Sequence, residues 1–206
     1  MKILVSNVGS TSLKCKLYEM PEETLLCEAK VERVGSASDA IYSYRSVRMA
    51  EGLHREGCSV PTYTEAIRLF LDSATDRETG VLAGVDELEA IGFKTVLAKG
   101  FYGIHELTDE VLAAMREYLF VAPAHNGPYL EAIGRFRELV PGARLIGVFE
   151  TAFHVTIPLE RRMYSIPYEW YEKYGIQRMG YHGASHAYIA ETLRSKYGNT
   201  GRTVSC

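Results

Sequence analysis

The feature that most limits what this chain can fold into is a change of hydrophobic period near residue 60. Before it, apolar residues recur at every second position, the spacing of a half-buried strand. Leu13, Cys15 and Leu17 fall on one face of such a run, with Lys14, Lys16 and Tyr18 on the other, and residues 41–49 alternate in the same way. Strands are expected over residues 2–7, 13–18, 24–34 and 41–49, with residues 50–59, rich in Gly, Ser and charge, as a loop. After it, Tyr63, Ala66, Ile67, Phe70, Leu71 and Ala74 recur at intervals of three and four, a one-sided helical stripe.

From there helical and strand patterns alternate. Residues 90–97 read as a central strand. Thr108 is placed to cap a helix whose first turn holds Asp109 and Glu110, acids suited to the helix dipole, and whose apolar side carries Val111, Leu112, Met115 and Leu119. A further helix carries Tyr129, Ala132, Ile133, Phe136 and Leu139 and closes at Pro141-Gly142. A strand over 143–149 follows, and a last helix opens at Ser185 and ends at Gly198. A meander followed by alternating helices and strands predicts an α/β domain built on a mixed sheet.

Bulk properties remove several function classes. Twenty-three basic against 26 acidic residues give a net charge of −3, with no basic face to recruit nucleic acid or anionic lipid. No apolar run reaches a membrane span, and the first ten residues are too polar for a signal-peptide core. Cys15, Cys27, Cys58 and Cys206 form no C-x-x-C pair, which argues against a zinc knuckle or a disulfide framework. Reduced thiols in a cytoplasmic protein is the expectation.

Several short stretches are dense in reactive groups. Asn7-Val8-Gly9-Ser10-Thr11-Ser12-Leu13-Lys14 is a tight turn between two strands. Its amides and hydroxyls can cradle phosphate oxygens, and the same residues also make an ordinary hairpin. Residues 180–186, Gly-Tyr-His-Gly-Ala-Ser-His, lie just before a helix, where unpaired amides suit an anion beside His182. Alternatively Ser185 caps that helix and His182 merely packs. His125 sits between Pro123 and Pro128 and is expected in a loop. Lys94 lies mid-strand among apolar residues, so its charge needs a partner or an anionic ligand. Glu150 ends the strand 143–149; it is either a solvated loop residue or a carboxylate offered at the sheet edge where open α/β folds bind ligands.

In this order, the stretches resemble the acetate kinase family of short-chain carboxylate kinases. That family opens with N-A-G-S-S-S-L-K, matching residues 7–14, and has L-A-P-L-H-N-P-P where this chain has residues 121–128. It has V-F-D-T-A-F-H where residues 148–154 stand, then a Tyr-rich block ending G-F-H-G-T-S-H, matching residues 164–186. The resemblance implies a lobe of the sugar kinase, Hsp70 and actin fold (ASKHA): a mixed sheet of RNase H type flanked by helices. It also implies reversible transfer of the ATP γ-phosphoryl group to acetate, giving acetyl phosphate and ADP, with Mg²⁺. By motif, Asn7, Ser10, Ser12 and Lys14 would lie near the phosphate, with Asn7 also toward the metal. His125 and His182 would bond phosphoryl oxygens, Val96 and Tyr181 would line the acyl pocket, and Glu150, Lys94 and His182 would act in catalysis.

Three departures accompany the resemblance. Glu150 replaces the family's aspartate, moving the carboxylate out by ~1.5 Å, and misplacement of that order can cost ~100-fold in rate. Lys94 replaces an arginine, giving a point charge for a two-pronged donor. Ala98-Lys99 replaces a Gly-Gly pair. They imply an altered substrate or chemistry, or a degenerate relative that binds carboxylate, phosphate or a partner without phosphoryl transfer. Residues 202–206 read as a strand beginning, which in the family leads into the glycine-rich loop of a second lobe. The expected organisation is thus an N-terminal lobe over residues 1–201 and the start of a nucleotide-binding lobe at 202–206. That second lobe would supply most of the ATP site and of a homodimer surface.

Overall fold

The computed structural model describes residues 1–198; the expected strand start at 202–206, with Cys206, lies outside the described residues. Five strands form the first half: β1 (Lys2–Val8), β2 (Ser12–Glu19), β3 (Thr24–Glu32), β4 (Ser36–Ser46) and β5 (Leu53–Val60). Helix α1 (Tyr63–Thr75) follows, then β6 (Leu88–Thr95), β7 (Gly103–Glu106), α2 (Asp109–Glu117), α3 (Pro123–Leu139) and β8 (Arg144–Phe149). Three further helices complete the described chain, α4 (Leu159–Arg162), α5 (Tyr168–Tyr174) and α6 (Gly183–Tyr197).

All eight strands form one mixed sheet in the order β5-β4-β3-β2-β1-β6-β8-β7. The meander β1 to β5 is antiparallel, β1, β6 and β8 run parallel, and β7 closes the far edge antiparallel to β8. Register keeps the apolar set on one face: Leu4 lies opposite Leu17 and Ile91, and Ile91 opposite Leu145. Over that face α1 buries Tyr63, Ala66, Ile67, Phe70, Leu71 and Ala74, the stripe read from the sequence. Phe136 of α3 meets Phe93 of β6 edge to face, ring centres 5.6 Å apart. Tyr42 is fully buried in β4, its hydroxyl donating to Leu69 O at 3.0 Å and sharing a second hydrogen bond of 2.7 Å with the Ser73 hydroxyl, so its polar tip is satisfied inside the core.

Three expectations fail for identifiable reasons. Residues 50–59 are not a loop: β5 pairs with β4, Leu53 opposite Tyr44 and Arg55 opposite Tyr42. As an edge strand it is held by its backbone ladder and leaves most of its side chains in solvent, so it carries no apolar alternation. His125 lies not in a loop but in the first turn of α3, which begins at Pro123, where a missing N–H costs nothing. Buried Asn126 pins that turn by donating to Leu97 O and Met115 O at 3.0 and 2.9 Å. Ser185 does not cap α6. The helix begins at Gly183 because the Gly183 N–H donates to Glu150 O at 2.9 Å, leaving His182 as the capping residue.

Candidate active site

The parallel strands β1, β6 and β8 end at one edge of the sheet, where side chains from separate elements converge. A cleft of about 670 Å³ opens there, lined by Asn7, Lys94, Val96, His125, Tyr129, Glu150, Tyr181 and His182, with Val121, Ala122 and Pro123 along one wall.

The β1 side is fixed by the hairpin to β2. The Gly9 N–H donates to Ser12 O at 2.8 Å, and Tyr63 Oη of α1 donates to Gly9 O. A Cβ on Gly9 would lie 2.5 Å from Ser12 Oγ, so a larger residue there would make the Ser12 hydroxyl turn away. Asn7 Oδ1 accepts from Tyr129 Oη of α3 at 3.3 Å. Burial pushes the Tyr129 hydroxyl up to about 12, which keeps it a donor through the neutral range.

The floor is an ion pair between two strands. The Glu150 N–H donates to Thr95 O at 3.1 Å, carrying the β6–β8 ladder one residue past the strand. Glu150 is only 4% exposed, and its Oε1 lies 3.2 Å from Lys94 Nζ. Of the two settings the sequence allows for this carboxylate, the structure has the buried one, and Lys94 has the partner its setting demands. The pair is close but off hydrogen-bonding alignment, and Oε1 accepts no hydrogen bond. The Lys94 side chain, 43% exposed, stays open to the cleft and to screening by solvent. Glu150 thus lines a cleft whose other walls carry His125 and His182, with its Oε1 buried beside Lys94.

The last wall is a turn before α6. His182 is held in the left-handed region at φ 59°, and Gly180 precedes it at φ 72°. A Cβ on Gly183 would lie 2.0 Å from Glu150 O, so only glycine lets α6 start against the end of β8.

Seven of the residues singled out from the sequence meet in this cleft: Asn7, Lys94, Val96, His125, Glu150, Tyr181 and His182. Three do not line it. Ser10 is exposed at the hairpin and Ser12 is half-buried in it. Lys14 lines a separate depression with Lys16, Lys30 and His54. Asn126 and Tyr129, which tie α3 to the strand ends, went unassigned as site residues; Tyr129 reads as part of an apolar stripe, and only its polar tip hints at more. Among the described residues no group of three or more His, Cys, Asp and Glu could enclose a metal. The oxygen donors of the cleft, Glu150 and Asn7, suit a hard cation that keeps water and substrate oxygens in its shell.

This architecture, a mixed sheet with a polar cleft at the ends of its parallel strands, has close counterparts. Residues 2–205 match the model of the acetokinase family. The acetate kinase of Halothermothrix orenii is 38% identical over 192 residues, covering 93% of this chain and 48% of that protein. The crystal structure of Porphyromonas gingivalis acetate kinase superposes with a TM-score of 0.84 at 33% identity, covering 96% of this chain and 49% of that one. A propionate kinase from Francisella tularensis shares the fold, with a TM-score of 0.85 at 24% identity over 97% of this chain and 50% of that one. The chain belongs to the acetokinase family, and its fold is the RNase H-like lobe of the sugar kinase, Hsp70 and actin type. It spans about half the length of the relatives it matches. No helix among the described residues is long and apolar enough to cross a membrane.

Proposed function

We propose that this chain forms the acyl-side lobe of a carboxylate kinase, which passes the ATP γ-phosphoryl group reversibly to a short-chain carboxylate such as acetate. The observation that carries the reading is the convergence of Lys94, His125, Glu150 and His182 around one cleft whose walls, Val96 and Pro123 among them, are partly apolar. Such transfer needs positioning and charge neutralisation more than covalent chemistry. In this reading Lys94, His125 and His182 orient and neutralise the anionic oxygens, and Val96 and Tyr181 receive the acyl chain. Ser10, Ser12 and Lys14 take part only if the hairpin or a partner lobe brings them nearer. Mg²⁺, held by Glu150, Asn7 and the nucleotide's own oxygens, would supply further charge neutralisation. ATP would be bound chiefly by a second lobe, and the complete protein is proposed to be a cytoplasmic homodimer. The test is an acyl-phosphate assay of this chain with its natural C-terminal half, Mg-ATP and a panel of short carboxylates. Hydroxamate-trapped product is expected, and its absence across the panel rejects the reading.

A second reading draws on the Lys94–Glu150 contact, in which the cation that should meet substrate is already paired. Here the protein binds carboxylate, phosphate or a partner without transferring phosphoryl groups. The double substitution Lys94→Arg and Glu150→Asp separates the two. It leaves the rate of a competent kinase nearly unchanged and raises that of a decayed pocket sharply.

A further inference from the structure

We infer that His154 is a positioning residue whose ring and Nε2–H hold the turn at residues 180–182, and through it His182, against the cleft. The inference rests on the reading that His182 acts there.

A histidine in left-handed backbone persists only where its surroundings over-determine it. His182, at φ 59°, is such a residue, and no side-chain cap bonds the start of its helix. Two hydrogen bonds bracket it. On one side the Gly183 N–H donates to Glu150 O at 2.9 Å; on the other His154 Nε2 lies 2.9 Å from Tyr181 O. A carbonyl only accepts, so Nε2 carries the proton. The ring also packs under the turn: a Cβ on Gly180 would lie 2.5 Å from His154 Cγ and Cδ2.

His154 is itself held. Phe153 and His186 meet its ring edge to face at 5.5 and 5.7 Å, and Phe153 stacks on His186 at 5.9 Å. The His186 N–H donates to His182 O at 3.0 Å, which ties the same cluster back to the turn. Both brackets thus come from residues 150–154, the exit of β8, the stretch that also supplies the buried carboxylate. The spacing between Glu150 and His182 across the cleft is set by five residues of one chain segment.

Three substitutions, made in the protein with its C-terminal half, dissect the contact. His154→Phe keeps a ring under Gly180 and removes the donor. His154→Gln returns an N–H close to the Nε2 position, and His154→Ala removes ring and donor together. The expected result is a kcat about 10- to 100-fold lower in His154→Phe, lower again in His154→Ala and largely recovered in His154→Gln. KM for the carboxylate should stay nearly constant. In a His182→Ala background, His154→Phe should cost nothing more, because the two act as one unit. A kcat equal to wild type in His154→Phe overturns the inference, as does a loss that persists undiminished without His182. If the unsubstituted protein makes no acyl phosphate, the functional reading is what fails, and amide exchange then decides the positioning. The Gly183 N–H should exchange about 10-fold faster in His154→Phe, and an unchanged rate rejects the inference.

Discussion

Helices α1 and α6 are of similar length but treat their apolar side chains in opposite ways. α1 buries six residues against the sheet over 13 positions, whereas α6 buries one over 15, and that one is Gly183. The contrast extends to the flanking regions. The meander closes Leu4, Leu13, Leu17, Tyr42 and Tyr44 into a core, while Phe153, Ile157, Tyr168, Trp170 and Tyr188 stand in solvent. The first region therefore carries the stability of the described chain. The region after β8 contributes geometry at the cleft and little apolar burial. Two substitutions break the comparison if it is wrong. Phe70→Ala, in the α1 core, should cost about 3–5 kcal/mol by denaturant unfolding. Trp170→Ala, at a side chain 45% exposed, should stay within ~0.5 kcal/mol.

A substitution in the second region should act on chemistry instead. Gly183→Ala places a Cβ 2.0 Å from Glu150 O and pushes the start of α6 off β8. The expected effect is a loss of about 100-fold in phosphoryl transfer by the two-lobed protein, with the main unfolding midpoint hardly moved. A large loss of stability with activity kept would show that α6 supports the core after all.

Alkaline pH should sharpen the same division. Burial raises Cys27 from 9.0 to about 11, and Tyr63 and Tyr129 from 10.0 to about 12, each chiefly through desolvation of the charged form. All three hold their protons more tightly folded than unfolded. Their contribution is complete below about pH 9 and is lost as pH climbs through 9 to 12. Unfolding midpoints should fall over that window, and less so in Tyr129→Phe, which lacks one of the groups.

What could be read from the sequence follows from where each signal resides. Alternation at Leu13, Cys15 and Leu17 and the stripe from Tyr63 to Ala74 are patterns of burial, and both return in the structure. Strand β5 is made by backbone pairing with most of its side chains in water, so no apolar alternation marks it. The start of α3 is masked by Pro123 and Pro128, which read as loop signals until the anchoring of Asn126 is seen. In the cleft, the reactive residues were visible as motifs. Their supports were not, because the Tyr129–Asn7 and His154–Tyr181 contacts join residues 122 and 27 positions apart. The hairpin residues Ser10, Ser12 and Lys14 are assigned by motif, and they stand outside the lining of the cleft.

The central claim is that the ends of β1, β6 and β8, and not the outer depression beside Lys14, form the anion site. Histidine side-chain NMR during titration with phosphate and acetate tests it most directly, because the chain carries reporters in both places. The account predicts shifts at His125 and His182, which line the cleft, with His54 in the outer depression unmoved. Shifts led by His54, with His125 and His182 silent, would contradict it.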